Sequence, residues 1–196
     1  MKRIITTVAV LALLAFPALS TAETWSIDPD HSSIGFTVRH MMVSNVKGTF
    51  GTFNGVAEVD EKDITKSRIS VTIDTASINT GVPKRDEHLR SADFFDTAKY
   101  PTMTYVSKKV EKISDDRLKV YGDLTLRGIT KPVVLDVEGP TKVYKDPQGK
   151  LRRGASATAK INRKDFGLTW NKVIEAGGVL VGEEVNISLE AEFVRK

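Results

Sequence analysis

The sequence predicts an all-β protein, an antiparallel barrel of about eight strands. From Trp25 onward, most segments alternate apolar and polar residues with a period of two, which is the pattern of strands with one buried face. Nearly every segment has a single apolar face, so the strands need one common interior, and no long helical pattern interrupts them. A closed barrel provides that interior and leaves no sheet edge to protect, whereas a sandwich is the alternative.

Residues 1–22 are expected to be a secretory signal rather than part of the fold. Lys2 and Arg3 precede an apolar run, and small residues ending at Ala22 form a cleavage site. Cleavage there would leave residues 23–196 as one domain and lower the formal net charge from +4 to +2. The chain has no cysteine, which excludes disulfides and thiolate chemistry. We therefore expect an exported domain that is stabilised by burial and sheet pairing.

The first part of the domain is predicted to contain three strands, each with one apolar face, and bends between them. One face of the segment 33–40 contains Ile34, Phe36, Val38 and His40. Gly48, Gly51 and Gly55 indicate a sharp bend into a strand with Val56 and Val59. A third segment places Ile69, Val71 and Ile73 on one side and extends towards Ile78. Because His40 shares its face with apolar residues, it is expected to point into the barrel, where it needs a polar partner.

The remaining strands follow the same alternation. Asp115 and Asp116 are predicted to form the turn between the strands 101–113 and 117–128, and the sequence from Asp146 to Gly149 predicts another turn. The inward faces are expected to include Leu118, Val120, Gly122, Leu124, Leu126, Val133, Leu135, Val137, Val185, Ile187, Leu189, Ala191 and Phe193.

Three alanines form the inward face of the strand at 152–162. Ala155, Ala157 and Ala159 precede Ile161 on that face. An eight-stranded barrel is just wide enough to be filled by side chains or to hold one slender ligand. Small residues leave space for a ligand, so this stripe favours the second option. The alternative is that a bulky opposite strand closes over the alanines.

Residues 85–96 form the one concentrated polar and aromatic segment. Asp86 is expected to cap a short helix at about residues 85–92, with Arg90 late in the helix, where a cation suits the dipole. This helix could lie across the barrel mouth with Phe94 at its end. The alternative is a solvated connecting helix whose Phe94 and Phe95 only fill the core. Trp170, after the alanine strand, is a candidate for the pocket rim or a core position.

Charge and motifs exclude several functions. Acidic residues interleave with the basic groups around Lys108 and around Lys150, Arg152 and Arg153, so these are expected to be solvated faces and not a nucleic-acid site. Charged outward positions argue against a membrane-spanning barrel. The histidines His31, His40 and His88 match no metal spacing, and no nucleophile elbow is present. We therefore expect that the protein binds no metal and no cofactor and that it is not an enzyme.

Several blocks of the chain together carry a family resemblance: residues 25–40, the glycines with Phe50 and Phe53, and the segments 85–101, 122–133, 161–170 and 181–192. These blocks resemble the YceI-like family of polyisoprenoid-binding proteins, in the expected order and over almost the whole mature chain. The resemblance implies a lipocalin-like barrel, exported to the periplasm, that encloses the tail of a long isoprenoid or similar amphiphile. Family members are not established as enzymes.

From these observations we expect a periplasmic carrier that binds a long apolar chain in the barrel interior. The ligand is expected to be a polyisoprenoid or another long-chain lipid, such as an isoprenoid quinone or a prenyl phosphate. The expected binding residues are Phe36, Val38, His40, Ile73, Arg85, His88, Arg90, Phe94, Leu124, Leu135, Ala157, Trp170 and Leu189. Among them, Arg85, His88, Arg90 and His40 are the candidates to orient a phosphate or quinone head group.

Three alternatives stay open at this point. The first is a hydrolase or transferase that acts on an amphiphile with His88 and Asp86. The second is a haem or electron-transfer module that uses His40 or His88 as ligand. The third is a barrel with a filled interior and no ligand. A homodimer is also left open.

Overall fold

The computed structural model describes residues 22–174 and 178–196. The predicted signal lies outside the described residues, apart from Ala22. Within these residues the α-helix α1 spans Pro83–Arg90. The strands are β1 Glu23–Ile27, β2 Ser33–His40, β3 Ser44–Phe50, β4 Phe53–Val59, β5 Arg68–Asp74, β6 Ile78–Asn79, β7 Thr102–Lys112, β8 Arg117–Leu126, β9 Ile129–Glu138, β10 Tyr144–Lys145, β11 Leu151–Asn162, β12 Val173–Ile174, β13 Gly178–Val179 and β14 Val181–Arg195.

The strands close into an eight-stranded antiparallel barrel, which confirms the predicted fold class. The walls follow one another in chain order, and β14 closes the ring by pairing with β11 on one edge and with β1 and β2 on the other. The first three walls are each two strands in line: β1 with β2, β3 with β4, and β5 with β6. Closure satisfies the backbone groups that an open sheet would leave at its edges.

Short interruptions separate the two halves of these walls. A 3₁₀ turn at Pro29–His31 lies between β1 and β2, and Asp28 caps it by accepting from the backbone N–H of Asp30. Another 3₁₀ turn at Thr75–Ser77 divides β5 from β6, with Asp74 as its cap. The strand at 69–73 was predicted to extend towards Ile78 without a break, because this turn interrupts the pairing without reversing the chain direction.

The inward faces agree with the predicted alternation. Alternate residues of β8 from Leu118 to Leu126 are buried. At Gly122 a side chain has no room, because the ring of Tyr105 would lie 2.6 Å from an added Cβ atom. Tyr105 fills that space and donates its hydroxyl hydrogen to the Val120 carbonyl at 2.9 Å.

The helix near the barrel mouth is present, but its start differs from the prediction. It begins at Pro83, which is favourable in the first turn because its missing N–H would have no partner there. Asp86 is buried inside the first turn and is not the cap. Its carboxylate accepts hydrogen bonds from the Thr80 N–H and hydroxyl at 2.9 and 2.5 Å. The side chain therefore joins the helix to the segment after β6.

The barrel has a helix end and a far end. The helix end contains α1, the β2–β3 turn and the β12–β13 hairpin, together with the 3₁₀ turn at Arg163–Phe166. The far end contains β1, the β7–β8 turn and the start of β11. Among the described residues, no helix combines the length and the apolar character that crossing a membrane requires.

Candidate functional site

The barrel interior holds a cavity of about 300 Å³. Its wall is almost entirely hydrocarbon and includes Ile27, Val71, Val110, Val120, Leu126, Val133, Val137, Ile161, Leu168, Val185, Ile187 and Phe193. An apolar ligand that enters such a cavity gains binding free energy by leaving water, and it needs no specific polar partners there. The interior is thus hollow, and the filled-barrel alternative is wrong.

The hollow lies beside one part of the barrel wall. Inward residues of β7, β8 and β9, such as Met103, Leu124 and Leu135, are buried. By contrast, inward residues of β2, β11 and β14, such as Phe36, Ala157 and Leu189, are only partly buried although they line the same cavity. The alanine stripe on β11 explains this difference, because Ala155 and Ala157 bring too little volume to fill the space.

Aromatic side chains cover the helix end of the cavity. Leu89 of α1 and the following Phe94 and Phe95 contribute to the lining. The ring of Phe95 packs edge-on against Phe50 at 5.7 Å between centroids, and Phe50 packs against Phe36 at 5.8 Å. The polar and aromatic segment singled out in the sequence therefore contributes its apolar residues to the cavity wall.

Eight of the thirteen predicted binding residues line the cavity: Phe36, Val38, Ile73, Phe94, Leu124, Leu135, Ala157 and Leu189. Contact of these residues with a ligand stays a prediction. The other five, His40, Arg85, His88, Arg90 and Trp170, do not belong to the lining. All five lie at the helix end, and four of them were the polar candidates.

The two helix arginines are engaged with the backbone. Arg85 donates to the hydroxyl of Thr80 at 2.7 Å and to its carbonyl at 2.9 Å. Arg90 donates to the carbonyls of Ala76 and Ile78 at 2.7 and 2.8 Å. Their guanidinium groups thus fasten α1 to the residues around β6, which is a structural task that alternation in the sequence did not reveal.

The two histidines are placed differently from the expectation. His40 is the last residue of β2, partly buried and beyond the cavity wall, so its strand phase did not bring it into the cavity. His88 lies 2.8 Å from the carboxylate of Asp93. The His88 ring also packs edge-on against Phe94 and Trp170, at 5.1 and 4.8 Å between centroids. Trp170 therefore supports the aromatic cover from outside.

The catalytic alternative required His88 to act with Asp86. Asp86 instead accepts from Thr80, and His88 pairs with Asp93, whose side chain is about half exposed. Ser32 accepts from the Glu192 N–H at 2.9 Å, and His31 contacts Asp28 at 3.1 Å. The described residues therefore do not form the acid–base pair that this alternative assigned.

Two buried arginines flank the alanine stripe, and neither is among the predicted binding residues. Arg153 and Arg163 are 8% and 4% exposed and line the cavity from its two ends. A signal was available, since both have the same strand phase as Ala155, Ala157, Ala159 and Ile161 and so point inward.

Arg163 ties the helix-end segments together. Its guanidinium donates to the carbonyl oxygens of Gly182, Val181, Trp170 and Leu168. Among the described residues it forms no salt bridge to a carboxylate. Burial lowers the pKa of Arg163, because the cation is removed from water without a directly paired anion. Through these four carbonyls, the buried guanidinium holds in place the segments that precede and follow the β12–β13 hairpin.

Arg153 closes the far end against Trp25. Its guanidinium lies 4.8 Å from the centroid of the fully buried Trp25 ring, and one nitrogen is 2.6 Å from Glu61. The stacking of a cation on an aromatic face is favourable, particularly when both groups are shielded from water. The sequence-based expectation of a solvated basic face around Arg153 is therefore wrong.

Arg152, on the opposite face of β11, binds three carboxylates. Its side chain is 2.6 Å from Asp28, 2.7 Å from Asp146 and 2.5 Å from Glu192. The Arg152 guanidinium lowers the pKa values of Asp28 and Asp146 below their ordinary value of 3.8. Asp28, His31 and Glu192 could present metal-ligand atoms within 4.8 Å of one another. Because Arg152 already neutralises these carboxylates, we assign no metal there.

Replacing Arg152 with Gln is expected to destabilise the barrel at neutral pH but not in acid. The depressed pKa values of Asp28 and Asp146 mean that their stabilisation is present above pH 3.8 and is lost as pH falls through the folded-state values. The melting-temperature gap between wild type and Arg152→Gln should therefore narrow below pH 3.8. Arg195→Gln, which removes a more exposed single ion pair with Glu23, is the control and should have little effect. A gap independent of pH would contradict this assignment.

Sequence comparison finds a family match over almost the whole described chain. The YceI-like domain matches residues 25–193. A UPF0312 protein of Staphylococcus aureus strain MSSA476 is 40% identical over 170 residues, which cover 86% of this chain and 96% of the relative. The match therefore includes every wall of the barrel and both buried arginines.

Solved structures show the same architecture. The YCEI protein of Campylobacter jejuni is 38% identical, with a TM-score of 0.69 over 81% of this chain and 90% of that chain. A polyisoprenoid binding domain from Saccharophagus degradans, implicated in plant cell wall breakdown, has a TM-score of 0.64 over 88% of this chain and 98% of that chain. That domain is only 16% identical, so its similarity shows the fold alone.

Proposed function

The chain belongs to the YceI-like family, and from this premise we propose that it is a periplasmic carrier that encloses the tail of a polyisoprenoid or similar long-chain amphiphile. In this proposal the protein binds and releases its ligand without chemical conversion. The hydrocarbon-lined cavity carries the proposal, because such a space favours an apolar chain over a polar substrate.

The energetics of burial support a chain-like ligand. At about 25 cal/mol per Å² of apolar area, a long prenyl tail gains most of its binding free energy from leaving water. No polar contact within the cavity is needed for this gain. We therefore expect weak selectivity among tails of similar length and width, with the bound length limited by the cavity.

The comparisons support the ligand class. The Saccharophagus degradans protein that shares this fold is described as a polyisoprenoid binding domain. At 16% identity this is an analogy of fold, so the tail class comes to this chain as part of the proposal. Export to the periplasm is also proposed, and it rests on the signal pattern of residues 1–22.

The head group is proposed to stay at the helix end. Arg85 and Arg90 donate to backbone carbonyls there, and the ring of His88 contacts Phe94, which lines the cavity. Of the four polar candidates, His88 is therefore the one we assign to a head group, through its half-exposed ring. This assignment concerns orientation, because the tail provides most of the affinity.

Native mass spectrometry with lipid extraction tests this function on protein recovered from the periplasm of its own bacterium. We expect a mass excess that disappears when the protein is denatured, and a long-chain species in the organic extract. Recovery from the cytoplasm would contradict the proposed location. Failure to retain any ligand, even after delipidated protein is mixed with long-chain prenyl alcohols and phosphates, would overturn the carrier function. A converted product instead of the unchanged lipid would indicate catalysis.

A further inference from the structure

The turn between β2 and β3 exposes three consecutive apolar residues at the helix end. Met41, Met42 and Val43 are 42%, 57% and 76% exposed. Val173 of the neighbouring β12–β13 hairpin is 85% exposed. We call Met41, Met42, Val43 and Val173 the apical patch. Single exposed apolar residues are common on proteins, whereas a run of three at a turn tip with a fourth on the adjoining hairpin is not.

Met41 and Met42 are also residue types that rarely adopt the backbone conformation of this turn. Met41 and Met42 have φ angles of 50° and 59°, and the Val43 N–H donates to the His40 carbonyl at 3.0 Å. A β-turn with both central residues at positive φ strongly prefers Asn and Gly at these positions. Exposed methionines at these positions therefore help neither the turn geometry nor the core. Departures of this kind concentrate at functional positions.

Hydrogen bonds link the β2–β3 turn to the segments on both sides of the β12–β13 hairpin. The Met41 N–H donates to the Leu180 carbonyl at 2.8 Å, and the Leu180 N–H donates to the Lys172 carbonyl at 2.9 Å. The Asn171 side chain binds both backbone groups of Val181, at 2.8 and 3.0 Å. Because Val181 also pairs with His40, the β2–β3 turn and the base of the β12–β13 hairpin, which carries Val173, lie at the same end of the barrel.

Three cations lie on the strands and the hairpin that carry the patch, and none of them pairs with a carboxylate among residues 22–174 and 178–196. They are Arg39, Lys47 and Lys172. The nearby Glu183 and Glu184 are paired with Lys164 and Lys160. Arg39 donates to the Met42 carbonyl at 2.9 Å, which places positive charge at the turn itself. Apolar side chains beside cations that no described carboxylate pairs match the interface of an anionic bilayer, which has a negative surface and an apolar interior.

We propose that the apical patch docks the protein on anionic lipid bilayers, with Met41, Met42, Val43 and Val173 inserted among the lipids and Arg39, Lys47 and Lys172 near their head groups. The docking does not depend on a bound ligand. The cavity wall includes Val38, Val181 and Val185, directly below the patch. If the carrier function holds as well, docking would bring this end of the cavity to the membrane, where a lipid could enter or leave.

Vesicle sedimentation with delipidated protein tests the docking. Vesicles of phosphatidylglycerol and phosphatidylethanolamine are compared with vesicles of phosphatidylcholine, at low and high salt, and the mass of each variant verifies a common N-terminus. We expect preferential, salt-sensitive binding to the anionic vesicles. Met41→Asn with Met42→Gly should weaken this binding at least about tenfold, yet leave the melting temperature equal or higher because the turn becomes favourable. Lys47→Gln with Lys172→Gln should weaken only the anionic preference.

Ile113→Asn is the matched control, because Ile113 is 53% exposed at the β7–β8 turn of the far end. It should leave vesicle binding unchanged. Absence of binding to anionic vesicles, equal binding to both vesicle types, or full binding by the Met41→Asn, Met42→Gly variant would each overturn the docking proposal. These results are independent of the carrier function, since ligand retention is measured without vesicles and docking is measured without ligand.

Discussion

Replacing Ala157 with Trp is expected to lower the affinity for a long-chain ligand several-hundred-fold while the barrel stays folded. Ala157 lines the cavity and pairs with Leu189 and Val137 across its two neighbouring strands. A buried aromatic side chain occupies about 150 Å² of apolar surface or more that would otherwise serve the ligand. At about 25 cal/mol per Å², this loss amounts to about 4 kcal/mol of binding free energy. A loss of this size weakens the affinity several-hundred-fold.

The same substitution at the next residue is the control. Thr158 is exposed and faces away from the cavity on the same strand, so Thr158→Trp should leave the affinity near that of wild type. Binding is measured by titration with a fluorescent long-chain ligand, and folding is measured by circular dichroism and thermal unfolding. Equal affinity in both variants, with both folded, would show that the ligand does not occupy the space beside the alanine stripe.

Replacing Arg163 with Leu is expected to reduce the free energy of unfolding by about 3 kcal/mol or more. The substitution removes the donor for four backbone carbonyl oxygens. They belong to Leu168, Trp170, Val181 and Gly182. Each buried acceptor left without a partner costs about 1–3 kcal/mol, although some of these carbonyls will find water. The loss should appear in denaturant unfolding monitored by Trp fluorescence.

Lys164→Leu is the control for Arg163→Leu. Lys164 is the next residue, and its ammonium group pairs with Glu183 on the surface, where both side chains are more than 40% exposed. An exposed pair of this kind contributes about 0–1 kcal/mol, so the control should change stability little. If Arg163→Leu were no more destabilising than Lys164→Leu, the four carbonyls would not depend on the guanidinium, and its structural role would be refuted.

The barrel and its apolar faces could be predicted from alternation alone. In β8, β11 and β14 the period of two separates inward from outward residues, and the alanine stripe marks where the interior is hollow. The polar residues were harder to place. Alternation indicates which face His40 shares, but not that β2 ends there beyond the cavity wall.

The helix shows a similar limit. Local propensities predicted a short helix near residue 85, but they assigned Asp86 to the cap, whereas Asp86 binds Thr80 across the segment that precedes the helix. Arg85 and Arg90 resembled head-group ligands because charge was the only information available. Their acceptors are the Thr80 hydroxyl and backbone carbonyls of residues 76–80, whose positions depend on the β5–β6 wall.

By itself, the sequence determined that one apolar face per strand must close on a shared interior, because hydrophobic periodicity is a local property of the chain. Only the tertiary structure decided which charges are buried, as with Arg153 against Trp25 and Arg163 among four carbonyls. It also decided that the exposed residues Met41–Val43 and Val173, which belong to two different hairpins, lie at one end of the barrel. The physical reason is that a buried cation or a joint surface depends on partners distant in the chain, which become neighbours only when the strands pair.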